Sequence, residues 1–171
     1  MNSTLKKQQG ERAQRYLLFE LQDEAFAFNI SGVREIIAYM KPTPIPGAPE
    51  SIQGILDLRG KIIPIIDLRC KFGMAPQGVQ MDTAIIILQH NNQETGFVVD
   101  RVSEVVGLSS EVLSDPPRLG HTVSTEYMAA VARFRDQVIV VLKTDQVCDF
   151  EADSIAQHIP ERSVDKNEVL S

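Results

Sequence analysis

The sequence predicts an all-β fold built as two small barrels, and three observations carry that reading. Apolar residues recur in short runs of strand length, polar pairs punctuate those runs where hairpins would turn, and one half of the chain echoes the other. The stretch "FAFNISGVREII" at 26–37 aligns without a gap on "TGFVVDRVSEVV" at 95–106, placing Phe28 on Phe97, Ile30 on Val99, Val33 on Val102, Glu35 on Glu104, and Ile36-Ile37 on Val105-Val106. Further on, "GILDLRGKIIPII" at 54–66 aligns on "AAVARFRDQVIVVL", placing Arg59 on Arg135, Gly60 on Asp136 and Ile63 on Ile139. Each half therefore reads as about five short strands around one core, and closing each into a barrel removes exposed sheet edges.

Residues 1–14 are polar and read as a flexible N-terminal arm. "YLLFELQDEAFAFNI" is strand, polar turn and strand, with Phe26, Phe28 and Ile30 alternating at the period of a half-buried strand. "GVREIIAYM" fits a strand or one helical turn. "KPTPIPGAPES" is a proline-rich loop, because its prolines remove backbone donors and enforce extended geometry. "GILDLRGKIIPIIDL" is a hairpin turning at Arg59-Gly60-Lys61, and Pro64 in its second arm argues for an edge position or a bulge. "DLRCKFGM" reads as a short helix ending at Gly73. "TAIIILQH", "ETGFVVD" and "RVSEVVGLS" are three further strands, the first two joined by a polar hairpin. A long irregular connection leads to "MAAVARFRDQVIVVL", again strand, turn and strand. "KTDQVCDFEAD" closes the fold as a short amphipathic helix capped near Thr144 or Asp145, and 151–171 is a polar tail.

The totals narrow the function classes. A chain of 171 residues suggests one domain or two small subdomains sharing a core. A net charge of −6 disfavours nucleic acid and anionic lipid, both of which demand clustered Lys and Arg. No apolar run approaches the length of a membrane span, and no apolar region follows the N-terminal lysines, so a cytoplasmic protein is expected. Cys70 and Cys148 form no CxxC or Cys/His cluster and read as reduced, partly buried residues.

No catalytic constellation can be assembled. His90, His121 and His158 lie apart, in a hairpin turn, a loop and the tail, without metal-ligand neighbours. Asp57 and Asp67 flank the central hairpin, where carboxylates more often cap turns than perform acid–base chemistry. Neither a metal nor a cofactor is expected. Arg59 stands out instead: a guanidinium fork on a rigid apolar support, beside a glycine, suits recognition. In "VREI", an extended chain puts Val33 and Glu35 on one face, with Arg34 and Ile36 on the other, as a strand lining a groove would.

These stretches together resemble the CheW family, the adaptors of bacterial chemotaxis. The resemblance rests on "YLLFELQDEAFAFNISGVREI", on "SIQGILDLRGKIIPIIDLRCKFG" after the proline loop, on "TAIIIL" and "TGFVVDRVSEV", and on "VARFRDQVIVVLKTDQV". The arrangement runs from Gly54 through Leu58-Arg59-Gly60, Pro64 and Asp67-Leu68-Arg69 to Phe72, with Asp57 where the family usually has asparagine. It covers about residues 15–150 and implies two SH3-like five-stranded β-barrel subdomains, approximately 15–80 and 81–150, with possible strand exchange between them, and a short C-terminal helix.

It also implies a non-enzymatic role: coupling the regulatory domain of the histidine kinase CheA to the cytoplasmic tips of methyl-accepting chemoreceptors in membrane-associated clusters. Carried over by position, Val33, Glu35, Ile36, Arg59, Ala84 and Val98 fall on the receptor-coupling segment, and Gln53, Gly54 and Ile62 on the kinase-facing side. The alternatives are an adaptor of a second, non-flagellar chemosensory pathway, or the CheW-like part of a CheV-type protein.

Overall fold

The structure, a computed structural model, describes residues 13–117 and 125–149. Most of the expected arm, the tail at 151–171, His121 and His158 lie outside the described residues. Within them the chain forms eleven strands in two sheets: β1 (Gln14–Leu21), β2 (Glu24–Asn29), β3 (Val33–Ala38), β4 (Ile52–Leu58), β5 (Lys61–Asp67), β6 (Ala84–His90), β7 (Gln93–Val99), β8 (Arg101–Leu108), β9 (Leu113–Ser114), β10 (Met128–Phe134) and β11 (Gln137–Leu142). The only α-helices among the described residues are α1 (Leu68–Lys71) and α2 (Thr144–Asp149).

One sheet runs β3-β6-β7-β5-β4 and the other β8-β1-β2-β11-β10-β9. Matching the two repeats gives the same order in each, including one parallel contact, β5 with β7 and β2 with β11. The second sheet carries one strand beyond the expected five, the two-residue β9. A division at residues 80 and 81 does not coincide with the sheets. The β6–β7 hairpin completes the sheet of β3, β4 and β5, while β1 and β2 lie among the strands of the C-terminal half.

This reciprocal exchange explains the sequence pattern. Each barrel has its own apolar interior: Leu56, Ile63, Ile65, Ile85, Ile87 and Val98 in the first, and Leu18, Ala25, Ala27, Val106, Ala132 and Ile139 in the second. A third and larger cluster lies between the sheets and contains Leu17, Phe19, Phe26, Phe28, Ile86, Leu88 and Phe97. The exchanged hairpins are therefore buried on both faces, so β1 and β6 read as nearly unbroken apolar runs. Phe28 and Phe97, equivalent in the repeat, meet each other with ring centroids 6.2 Å apart.

Four two-residue hairpins share one turn geometry. Gln22-Asp23, Arg59-Gly60, Asn91-Asn92 and Arg135-Asp136 all have φ > 0 at both positions, the signature of the type I′ turn whose twist matches that of paired strands. The ambiguous "GVREIIAYM" is a strand, β3, and the single 3-10 turn at Ile30–Gly32 lies just ahead of it, sharing only Gly32. Pro64 is not on an edge, since β5 lies between β7 and β4. Its pairing with β7 begins one residue later, at Ile65 with Gly96, so that ladder makes no demand on the missing N–H.

Replacing Phe28, fully buried between the sheets, with alanine should cost about 3–5 kcal/mol of stability. The cost should appear in urea unfolding as a lower midpoint with an unchanged slope.

Candidate functional site

The hairpin tip at Arg59 meets the opposite side of its own sheet. β3 and β4 are the two edges of the first sheet, yet the Arg59 guanidinium forms an ion pair with Glu35 on β3. The sheet has therefore curled far enough for its edges to be joined by a charge pair. Asp57 holds the turn by accepting a hydrogen bond from the Gly60 N–H at 3.1 Å. The hydrogen bond and the charge of Glu35 both push the Arg59 pKa further above its ordinary value. Arg59 is largely exposed and Glu35 half-buried, so the guanidinium is the part offered to solvent.

Residues flanking this pair form a cationic, partly apolar strip. The register of β3 on β6 shifts between Val33 and Glu35, which bulges Arg34 outward. Arg34 lies 3.8 Å and Lys61 3.5 Å from one carboxylate oxygen of Glu94, which is tucked beneath the two exposed cation heads. Ile36, two residues along the same outward face, is 43% exposed. The alternation expected for "VREI" is present: Val33 and Glu35 are half-buried, Arg34 and Ile36 exposed.

The other expected positions separate. Ala84 belongs to the inter-sheet core and Val98, only 1% exposed, to the interior of the first barrel, so neither offers side-chain surface to a partner. Gln53 is half-buried, with its side-chain amide donating to Asp67 Oδ2 at 3.2 Å. Ile62 is half-buried on β5. Gly54 is buried at a break in the β4–β5 register with φ +147°, and a Cβ there would stand 2.1 Å from the carbonyl oxygen of Thr43. Thr43 and Ile55 exchange two backbone hydrogen bonds of 2.9 Å at that point, so the glycine is what lets the proline loop close on β4.

Two arrangements escaped the sequence. The first is the second-barrel counterpart of Arg59. Arg135 has φ +49°, lies over the Phe134 ring at 4.7 Å, and pairs with Glu104 at 2.8 Å, so the ion pair is duplicated along with the strands. The alignment of both residues with their partners was the available signal.

The second is a buried network around Arg69. Its Nε lies 3.3 Å from Asp67 Oδ1 and its Nη1 2.9 Å from Asp100 Oδ1, while Asp100 Oδ2 accepts the Gln22 backbone N–H at 2.7 Å. Asp67 also caps α1 by accepting the Arg69 N–H, as its position after the hairpin suggested. The Asp-Leu-Arg motif was visible in the sequence, but nothing local showed that its arginine points inward.

A cavity of about 350 Å³ lies in the second sheet among Phe26, Met128, Val131 and Val140, away from every expected site residue. No helix among the described residues is long and apolar enough to cross a membrane.

Comparison with known proteins gives a consistent outcome. Residues 15–151 match the sequence model of the CheW-like domain. The chain is 34% identical over 160 residues to the chemotaxis protein CheW of Klebsiella aerogenes, covering 92% of this chain and 95% of that one. It is 27% identical over 143 residues to CheW of Helicobacter pylori, covering 83% and 86%. The crystal structure of the scaffolding protein TtCheW from Thermoanaerobacter tengcongensis superposes with a TM-score of 0.72 at 35% identity, over 77% of this chain and 84% of that one. The two-subdomain SH3-like architecture is thereby shown. The match to the chemotaxis protein CheV3 of Helicobacter pylori is weaker, at 26% identity over 41% of that protein, and does not favour the CheV-type reading.

Two substitutions separate support from display. Gly54→Ala should lower stability by at least about 2 kcal/mol, because the left-handed φ and the clash with Thr43 act together. Arg59→Gly should leave the thermal midpoint close to wild type, since glycine suits the turn and offsets the loss of an exposed pair. Thermal unfolding followed by circular dichroism checks both.

Proposed function

The chain belongs to the CheW family of chemotaxis coupling proteins, and from that premise we propose that it joins a CheA-type histidine kinase to the cytoplasmic tips of methyl-accepting chemoreceptors. It acts as a scaffold and performs no chemistry of its own; as such it is recruited to membrane-associated receptor clusters through its partners. The observation that carries the coupling site is the exposed Arg59–Glu35 pair beside Ile36. A receptor hairpin presents an apolar stripe with charged flanks. Ile36 and the half-buried Val33 match the stripe, while Arg59 and Glu35 supply a donor fork and an acceptor for the flanks.

The kinase face falls to the β4–β5 hairpin, with Ile62 as its accessible apolar residue and β4 as a sheet edge that the proline loop bridges at Ile55. In this reading Gln53 and Gly54 serve the face indirectly. Gln53 fixes Asp67, and Gly54 allows the bulge that shapes the edge. Ala84 and Val98 contribute by supporting the strands behind the receptor site.

The test is a pull-down from detergent-solubilised whole-cell lysate with wild type and Arg59→Gly side by side. The wild type should recover a histidine kinase and receptors. The variant should keep the kinase and lose most of the receptor, and should fail to support receptor-stimulated autophosphorylation in a reconstituted mixture. Full stimulation by the variant would remove Arg59 from the coupling site, and recovery of neither partner by wild type would sink the adaptor reading.

A further inference from the structure

The outward face of β3 continues past the proposed coupling site. Arg34, Ile36 and Ala38 are exposed while Glu35 and Ile37 are half-buried, and the alternation runs on beyond the strand to half-buried Tyr39 and to Met40, 49% exposed. The Tyr39 N–H donates to the Thr83 carbonyl at 3.2 Å, so this extension stays paired with the chain entering β6. Just ahead of Thr83, a tight turn presents Met81, which is wholly exposed. The turn is closed twice. The Thr83 N–H donates to the Gln80 carbonyl at 3.2 Å, and the Gln80 N–H donates to Thr83 Oγ1 at 2.8 Å, with Thr83 itself buried.

Single exposed apolar residues are ordinary on a protein surface, but several held in order on one face are not. Ile36 pairs with Ile86 and Ala38 with Ala84, both members of the inter-sheet cluster. Directly opposed residues share a face, so the row is the uncovered margin of that apolar surface. Cations stand at both ends: Arg34, Arg59 and Lys61 near Ile36, and exposed Lys41 beside Met40.

From Ile36 to Met40 is about 13 Å of strand, the length of about nine residues of α-helix. The surface therefore fits an amphipathic helix whose apolar stripe carries acidic residues at both ends. A second copy of this chain fits it poorly. An antiparallel contact between two β3 strands would set Lys41 of each against the cationic end of the other.

We propose that Met40 and Met81 are receptor-contact residues, the far end of a docking surface that begins at Arg59 and Ile36 and receives one receptor helix laid along β3. The proposal rests on the adaptor reading above. The flexible thioethers would let one surface accept receptor stripes of differing shape.

The test is oxidative footprinting of the full wild-type chain. Hydrogen peroxide gives one oxygen to an accessible thioether, leaving the sulfoxide and water, so the rate reports exposure. Peptide mass spectrometry follows each methionine at low extents of oxidation, in the free adaptor, with kinase, and with the receptor cytoplasmic fragment that wild type recovers. Saturating receptor fragment should slow Met40 and Met81 by at least about fivefold, and kinase alone should leave both within about twofold of the free rate. Buried Met74 and Met128 should stay slow throughout. Separately, Met40→Gln with Met81→Gln should weaken receptor binding about tenfold at unchanged kinase affinity and thermal midpoint, and the double leucine variant should restore it.

Receptor binding with both methionines still oxidised at the free rate overturns the proposal and leaves the adaptor reading standing. Protection by kinase, or by raising the adaptor concentration alone, overturns it in favour of that other occupant. Failure of wild type to bind receptor removes the adaptor reading and this extension together.

Discussion

Arg69 is the constraint on which the arrangement of this molecule turns. A buried guanidinium is costly unless its donors are met, and here two carboxylates from different parts of the chain meet them. Removing either carboxylate would leave the buried guanidinium with some of its donors unmet. The pair Asp67 and Asp100 thereby dictates that the end of β5, the β7–β8 crossing and the β1–β2 turn converge on one point. The large inter-sheet cluster supplies most of the free energy of association, and the polar link selects which of its possible packings is adopted.

The duplicated ion pairs play a different part. Arg59 and Arg135 each occupy a turn position where glycine or asparagine would be easier, and each reaches a glutamate on the far edge of its own sheet. Both barrels are thus joined in the same way at their mouths. Among the described residues, the first pair has a second carboxylate and two further cations beside it, Glu94 with Arg34 and Lys61. The repeat set the geometry, and the surroundings distinguish the copies.

Much of this was legible in the chain itself. The hairpins were marked by polar pairs between apolar runs, and "LRG" and "DLR" were specific enough to align the whole fold. The residues proposed for coupling around "VREI" could be sorted by strand alternation, and their burial follows it. What escaped depended on tertiary position. Val98 and Ala84 sit in runs buried on both faces, where periodicity cannot say which side faces a partner. Pro64 suggested an edge because propensity knows nothing of where a neighbouring ladder begins. Arg69 and Asp100, 31 residues apart, could be joined only by the fold.

The exchange of hairpins also sets an order of events during synthesis. The β1–β2 hairpin can form as soon as it emerges, but the strand that flanks β2 on its other side, β11, begins at Gln137. The first barrel can close only once β7 has appeared, at Val99, and the second only near the end of the folded chain. An apolar hairpin made early must therefore wait, uncovered, while most of the polypeptide is translated. Of the eleven strands, the first pair to be made is among the last to be enclosed.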